Sequence, residues 1–450
     1  MDAILEVSFI FSKISLSYLD FQKLRMNFSY KKEYWVKRVY CKERVVYDAY
    51  IIDKKGYFLS GFLSKILAYL VKNDIPYKVN LIDVDFVNLI PQDPKLSIDF
   101  REDQKNLIEL SLKYKRGVIK SPTGSGKTIV ACGIISAFPN NKILFLCHNV
   151  SLIKQAIAEF KKFGLGPVSQ VGNGVKDLSG RIVVATIQSL IKIDSEDYNF
   201  DIVLIDECHH VSSFSSTYYK LLTCLNSSIK IGFTATLPIG DERLLAMEGL
   251  IGPLIGEVTL NQAVENGILA IPKVKLLSIP QYININDLKT YQSIYNMAIV
   301  NYRKRNRIIV DEANRLNKEN KSCIIYINNI EHGENIQKIC NLLNLKTFFV
   351  KGDVDGDVRE KIKDQLNKKE IMTVISTVVF KEGINIPELD AVIIAGGGKS
   401  ELVLIQTIGR GMRRTKIKSD FLIIDCLDMG KYLSEHAIQR VSVYLENGWI

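Results

Sequence analysis

The chain has 450 residues, 47% of them hydrophobic and 24% charged, a balance that supports sizeable buried cores and excludes a disordered protein. Its 59 Lys and Arg against 49 Asp and Glu leave a net charge of +10, which points toward an acidic partner such as nucleic acid without establishing one. No uncharged run reaches the ~18 apolar residues of a membrane span, and Met1–Leu24 lacks the basic start and apolar core of a secretion signal, so a cytoplasmic location is expected.

The eight cysteines form no C-x-x-C pair and read as small buried hydrophobes of a reducing compartment. Among the five histidines, His209 and His210 are adjacent, and no metal-binding cluster emerges.

Residues 1–98 are dense in aromatics and are expected to form a small α+β domain. It ends at Pro91-Gln-Asp-Pro94, a linker in which proline disfavours helix. Within it, Lys31, Lys32, Lys37, Arg38 and Arg44 interleave with Tyr34, Trp35 and Tyr40. Such a stretch suits phosphate contact and base stacking on duplex or junction DNA. Its alternation equally suits a β-hairpin with one wet face.

From residue 99 onward, short apolar runs alternate with helical patterns. Ile143–Cys147, Ile182–Ala185, Ile202–Ile205, Lys230–Phe233, Cys323–Ile327, Thr373–Ser376, Ala391–Ala395 and Phe421–Asp425 read as buried strands. Leu152–Phe163 and Asp357–Asn367 read as amphipathic helices. The alternation predicts an α/β fold with parallel sheets covered on both faces. A polar, basic helical stretch at Asp287–Asn317 separates two groups of strands, so lobes at 99–278 and 279–450 are expected. Within that stretch, Arg303-Lys-Arg305-Asn-Arg307 reads as a solvated face.

The sharpest local pattern is Ser121-Pro-Thr123-Gly124-Ser125-Gly126-Lys127-Thr128, after apolar Gly117–Ile119 and before an apolar helix. It fits the phosphate-binding loop G-x-x-x-x-G-K-[ST] at each defined position but the first, where Ser121 replaces Gly. Gly124 and Gly126 permit the tight turn that aims backbone N–H groups at phosphate. Lys127 then reaches the terminal phosphates of ATP, and the Thr128 hydroxyl holds Mg²⁺.

Downstream, the apolar run Ile202–Ile205 delivers Asp206 and Glu207 to its end. Carboxylates placed there lie at the ligand edge of an open α/β sheet. Asp206 would hold Mg²⁺, and Glu207 would orient and deprotonate the attacking water.

Asp206-Glu207-Cys208-His209 resembles the D-E-x-H box of superfamily 2 helicases, and further segments resemble that family's motifs in order. Arg101 and Gln104 match the entry motif that helps hold adenine. Thr234-Ala-Thr236 resembles the motif coupling the nucleotide site to the nucleic-acid track. Thr377 with Gly383-Ile-Asn385 resembles motif five, although Asn385 stands where many members carry Asp. Gln406-Thr-Ile-Gly-Arg410-Gly-Met-Arg413 resembles motif six, whose arginines act as fingers on the γ-phosphate. The resemblance covers roughly residues 99–425 and implies two RecA-like lobes in tandem, ATP and Mg²⁺ as cofactors, and DNA-stimulated ATP hydrolysis.

The resemblance also implies a single-strand track over the tops of the lobes. Candidates are His148 and Asn149, Thr186 and Gln188, Asn328, and Thr377. Each fits an ordinary helix cap as well. A small N-terminal domain before a compact core is similar to the UvsW-type helicases of phages, which implies a monomeric motor acting on forks and four-way junctions. An RNA helicase of the D-E-x-H type and the motor subunit of a restriction or repair complex remain as alternatives.

Overall fold

Unbroken apolar runs are stable as strands when both sheet faces are covered, and the runs of this chain fold that way. The computed structural model describes residues 2–450 except 38–41, 83–88, 212, 239, 281–287, 352–355, 378–388, 399–411, 413–417 and 431; the side chains of 34–37, 42–43, 356–360 and 363 also lie outside the description. The chain divides into two compact units, the first made of 1–121 and 126–258, the second of 259–450 together with 122–125.

The first unit begins with strands β1 (Ala3–Val7), β2 (Phe11–Ser15), β3 (Ser29–Lys37), β4 (Lys42–Tyr50), β5 (Tyr57–Leu59) and β6 (Tyr77–Leu81). Four of these form a sheet in the order β5-β2-β1-β6, while β3 and β4 pair as a separate antiparallel hairpin. The hairpin realises the alternation of the basic, aromatic stretch. Three of its cations have partners: Lys31 pairs with Asp48 at 2.7 Å, Arg44 with Glu33, and Lys32 with Glu242 at 2.7 Å.

Strands β7 (Arg116–Lys120), β8 (Ile143–Cys147), β9 (Val168–Gly172), β10 (Val175–Lys176), β11 (Ile182–Thr186), β12 (Ile202–Ile205), β13 (Ile229–Thr234) and β14 (Leu254–Glu257) build an eight-stranded sheet. Its order is β10-β9-β11-β8-β12-β13-β7-β14, parallel except at β10. Every residue of β8, β11, β12 and β13 is buried, as expected for parallel strands with both faces covered.

The N-terminal domain shares its core with this lobe: Leu5, Ile14, Phe58, Phe62 and Ile66 belong to the same apolar cluster as Val118, Met247 and Leu250. The approach is backbone to backbone. A Cβ on Gly61 would stand 2.0 Å from the Glu248 carbonyl oxygen, and one on Gly249 would stand 2.6 Å from the Phe62 ring. Arg116 reinforces the contact by donating to the carbonyls of Phe9 (2.6 Å), Leu250 (3.1 Å) and Ile251 (3.2 Å).

The second unit is a six-stranded, wholly parallel sheet of β15 (Ile271–Ser278), β16 (Cys323–Tyr326), β17 (Thr347–Val350), β18 (Thr373–Ser376), β19 (Ala391–Ile394) and β20 (Asp420–Leu427), in the order β15-β20-β19-β16-β18-β17. Sequence placed residues 271–278 at the end of the first lobe. Strand β15 instead pairs with β20 along its full length, and the units divide after Val258. The helical stretch expected at 287–317 is made of several segments. A helix at Tyr291–Tyr295 passes into a π-helical turn, Asn296–Val300, and a new helix starts at Arg303.

Arg305 overturns the expectation of a solvated basic face. It is fully buried, and its guanidinium donates to both Asp428 oxygens, Nε to Oδ1 at 2.6 Å and Nη2 to Oδ2 at 2.9 Å. Arg303 and Arg307 do face solvent. Nearby, Arg440 and Tyr444 both donate to Asp425, so a second buried carboxylate is satisfied in the same core. No helix among the described residues is long and apolar enough to cross a membrane.

Candidate active site

Parallel strands bring their carboxyl ends to one edge, so the loops after β7, β8, β11, β12 and β13 emerge together. These loops hold Ser121–Thr128, His148 and Asn149, Thr186, Asp206 and Glu207, and Thr236.

After β7, Ser121 N donates to Thr234 O at 2.9 Å, joining the loop to the end of β13. The loop residues 122–125, including Thr123, turn on themselves: Ser125 N and Oγ both donate to Pro122 O, and Gly124 lies at φ +88°. Gly126 is the N-cap of helix Lys127–Ala137, with φ +94°. It offers no side-chain acceptor, so first-turn N–H groups point toward an anion's position. Lys127 Nζ donates to Ser121 O at 3.0 Å, and Thr128 follows on the first turn.

The entry motif is held against this loop. Arg101 caps helix Glu102–Tyr114 and donates to both Asp103 oxygens at 3.0 Å. Gln104 is buried, returns its Oε1 to Arg101 N at 3.2 Å, and brings its Nε2 to within 2.6 Å of where a Gly126 Cβ would be.

At the end of β12, Asp206 N donates to Leu146 O at 2.9 Å, and Glu207 N donates to Asp206 Oδ1 at 3.0 Å. Glu207 adopts the left-handed region (φ 48°) and leads into a short 3₁₀ turn, Cys208–His210. From this turn His209 Nδ1 reaches Thr234 Oγ1 at 2.9 Å and Glu207 Oε2 at 3.3 Å. Thr234 Oγ1 donates to Thr236 O at 2.6 Å and accepts from Thr236 N at 3.2 Å. Burial pushes the Cys147 and Cys208 thiols well above their usual range, with the nearby carboxylates adding to the shift, so both stay protonated and unreactive.

Two of the outer candidates cap helices, Asn149 accepting from Leu152 N and Thr186 from Ser189 N, while Asn328 donates to Gly396 O. Gln188 lies exposed on the short helix Ile187–Leu190. Thr377 follows β18 and is buried. Gly383, Asn385, Gln406, Arg410, Arg413 and Arg38 lie outside the described residues, as do the side chains of Trp35 and Lys37.

Sequence assigns no role to His210 or Tyr218; the available signal for His210 is its place next to the histidine of the D-E-x-H box. The histidines join strand ends.

Residues 97–239 match the family described as "Type III restriction enzyme, res subunit", and residues 304–415 match "Helicase conserved C-terminal domain". The chain is 26% identical over 379 residues to the ATP-dependent DNA helicase uvsW of Enterobacteria phage T4, covering 76% of this chain and 74% of that protein. It is 22% identical over 436 residues to the DNA 3'-5' translocase XPB2 of Sulfurisphaera tokodaii, covering 87% and 96%. Of relatives from a Sulfolobus filamentous virus and Saccharomyces cerevisiae it spans 64% and 51%. The restriction-modification enzyme LlaBIII shares the fold, with a TM-score of 0.61 and 18% identity over 85% of this chain and 32% of that one. The two motor-domain matches, met in order and with the phosphate loop and D-E-x-H box inside the first, make this chain a superfamily 2 helicase and an ATP hydrolase, similar to the T4 uvsW protein.

Proposed function

We propose that the chain is an ATP-driven DNA translocase and helicase that unwinds or branch-migrates branched DNA, such as forks and four-way junctions, in phage replication, recombination or repair. It would work as a monomer in the host cytoplasm. The observation that carries the reading is the meeting at one sheet edge of Lys127, Asp206, Glu207 and the His209–Thr234 bond. A nucleotide bound there is linked directly to the residues that border the track.

In this reading the backbone of Thr123–Gly126 and the start of helix Lys127–Ala137 hold the phosphates, and Lys127 leaves the Ser121 carbonyl to reach them. Arg101 and Gln104 hold adenine. Gly383 and Asn385, which lie outside the described residues, would serve the nucleotide by their resemblance to motif five. Thr128 and Asp206 supply hard oxygen donors, the type that suits Mg²⁺, which neutralises phosphate charge when bound. Glu207 orients and deprotonates the attacking water. Arg410 and Arg413, with Gln406, serve the γ-phosphate as its charge develops. Thr234 and Thr236 couple the chemistry to movement.

DNA is favoured over RNA by the names of the T4 and Sulfurisphaera relatives, each of which specifies DNA. His148, Asn149, Thr186, Gln188, Asn328 and Thr377 are proposed track contacts, and Lys31, Lys32, Trp35, Lys37 and Arg38 duplex contacts. A second reading, the motor of a restriction complex, draws on the family description matched by residues 97–239.

The test is ATP turnover and strand displacement on forks and four-way junctions, beside single-stranded DNA and RNA of equal length. DNA-stimulated turnover with junction unwinding is expected, and Lys127→Ala and Glu207→Gln should abolish both. Stronger stimulation by RNA would overturn the substrate, and DNA cleavage by the chain would favour the restriction motor.

A further inference from the structure

The 3₁₀ turn after Glu207 sends two consecutive imidazoles to different strand ends. His209 bonds Thr234 at the end of β13. The His210 ring stays beside that of His209, with centroids 4.3 Å apart and planes tilted 33°, and lies flat on His148, just beyond β8, with ring centroids 3.5 Å apart and planes 9° from parallel. His148 is held at its other side by Tyr218, whose buried hydroxyl is 3.3 Å from Nδ1. The Asp206 N to Leu146 O bond joins the same two strand ends through the backbone. His148 thus meets Tyr218 at its Nδ1 edge and His210 across its face, so a shift of its ring alters the stack on His210.

That contact meets the carboxylate by a short path, because only Cys208 and His209, in a tight hydrogen-bonded turn, separate His210 from Glu207: His210 N donates to Glu207 O at 3.1 Å. Close-packed elements transmit displacement by moving between discrete arrangements and not by deforming smoothly. Glu207 holds a left-handed backbone conformation, uncommon for a residue with a side chain, so its placement depends on what surrounds it.

We propose that His210 is a positioning residue: nucleic acid bound at the Cys147–Asn149 strand end moves His148, and the His148–His210 stack carries that movement to Glu207. The inference rests on the reading of this chain as a nucleic-acid-stimulated ATPase. It assigns the stimulation to a specific ring contact, in parallel with the Thr234 bond made by the adjacent His209 ring. A flat side chain is what the role requires, since the 3.5 Å spacing leaves room for a ring and for nothing bulkier.

The experiment measures ATP turnover by the full chain against oligo-dT and ATP concentration, for wild type, His210→Ala, His210→Leu and His210→Phe. A stacked aromatic pair is worth about a three- to tenfold change in an equilibrium. His210→Ala and His210→Leu should lose about that factor in the ratio of stimulated to unstimulated kcat, while KM for ATP and Kd for oligo-dT hold near wild type. His210→Phe should restore the ratio. Wild-type stimulation in the leucine variant, or equal loss in the phenylalanine and leucine variants, overturns the proposal. Should the alanine variant fail to fold, the leucine and phenylalanine pair decides alone. Absence of stimulation in the wild type would instead remove the functional reading itself.

Discussion

Gln104 lies across Gly126, its Nε2 2.6 Å from the point a Cβ on that glycine would occupy. The phosphate loop and the entry motif are therefore fitted to each other, and Gly126 meets two demands at once. It takes φ +94°, where an L side chain is strained, and it leaves space for a buried amide. Gly126→Ala should lower kcat/KM for ATP by roughly a hundredfold or more, since misplacement by about 1 Å has that scale. Gln104→Ala should raise KM more than it lowers kcat. Steady-state kinetics over a range of ATP concentrations separates the two outcomes.

Thr234 Oγ1 donates to Thr236 O and accepts from Thr236 N and from His209 Nδ1. Thr234→Val keeps the shape of this buried residue and removes its hydroxyl. Loss of about 1–1.5 kcal/mol for one such bond corresponds to a roughly tenfold effect. Strand displacement should fall by about that factor while ATP turnover falls less. Equal loss of both would show that the hydroxyl serves hydrolysis and not coupling.

Arg305 and Asp428 form a buried, two-bond ion pair in the second unit. Removing one partner of such a pair leaves an uncompensated charge and costs about 3–5 kcal/mol. Asp428→Ala should lower the urea midpoint of that unit accordingly. Replacing both with apolar residues of similar volume should recover much of the loss.

His332 is completely buried, with Nε2 2.9 Å from Asn306 Oδ1 and Nδ1 without a partner among the described residues. Burial, and then the nearby Arg305 charge, lower its pKa well below 6.5. A depressed folded-state pKa means that the unfolded chain binds the proton more readily. Stability is therefore complete above about pH 6.5 and declines as pH falls toward the folded value, by up to about 1.4 kcal/mol per pH unit. Thermal midpoints of wild type should drop between about pH 6.5 and 5. His332→Gln should flatten that part of the profile.

The long apolar runs were legible as strands because β8, β11, β12, β13, β16, β18 and β19 are buried throughout. Strand β15 was not, because it lies at the sheet edge and mixes Lys273 and Lys275 with apolar residues. Local chemistry was equally legible: glycines for a tight phosphate turn and paired carboxylates after a strand are requirements of neighbouring residues on one another.

Sequence alone thus determined the α/β class, the motor motifs and their order along the chain, since each depends on short-range pattern. The tertiary structure decided which motifs touch. Strand order β8-β12-β13-β7 is not chain order, so β12 comes between β8 and β13 and its turn can send His210 to one neighbour and His209 to the other. The same holds for charge. The basic run around Arg305 and the +10 total gave no sign that this cation would be sealed against Asp428, because burial is a property of how distant segments pack.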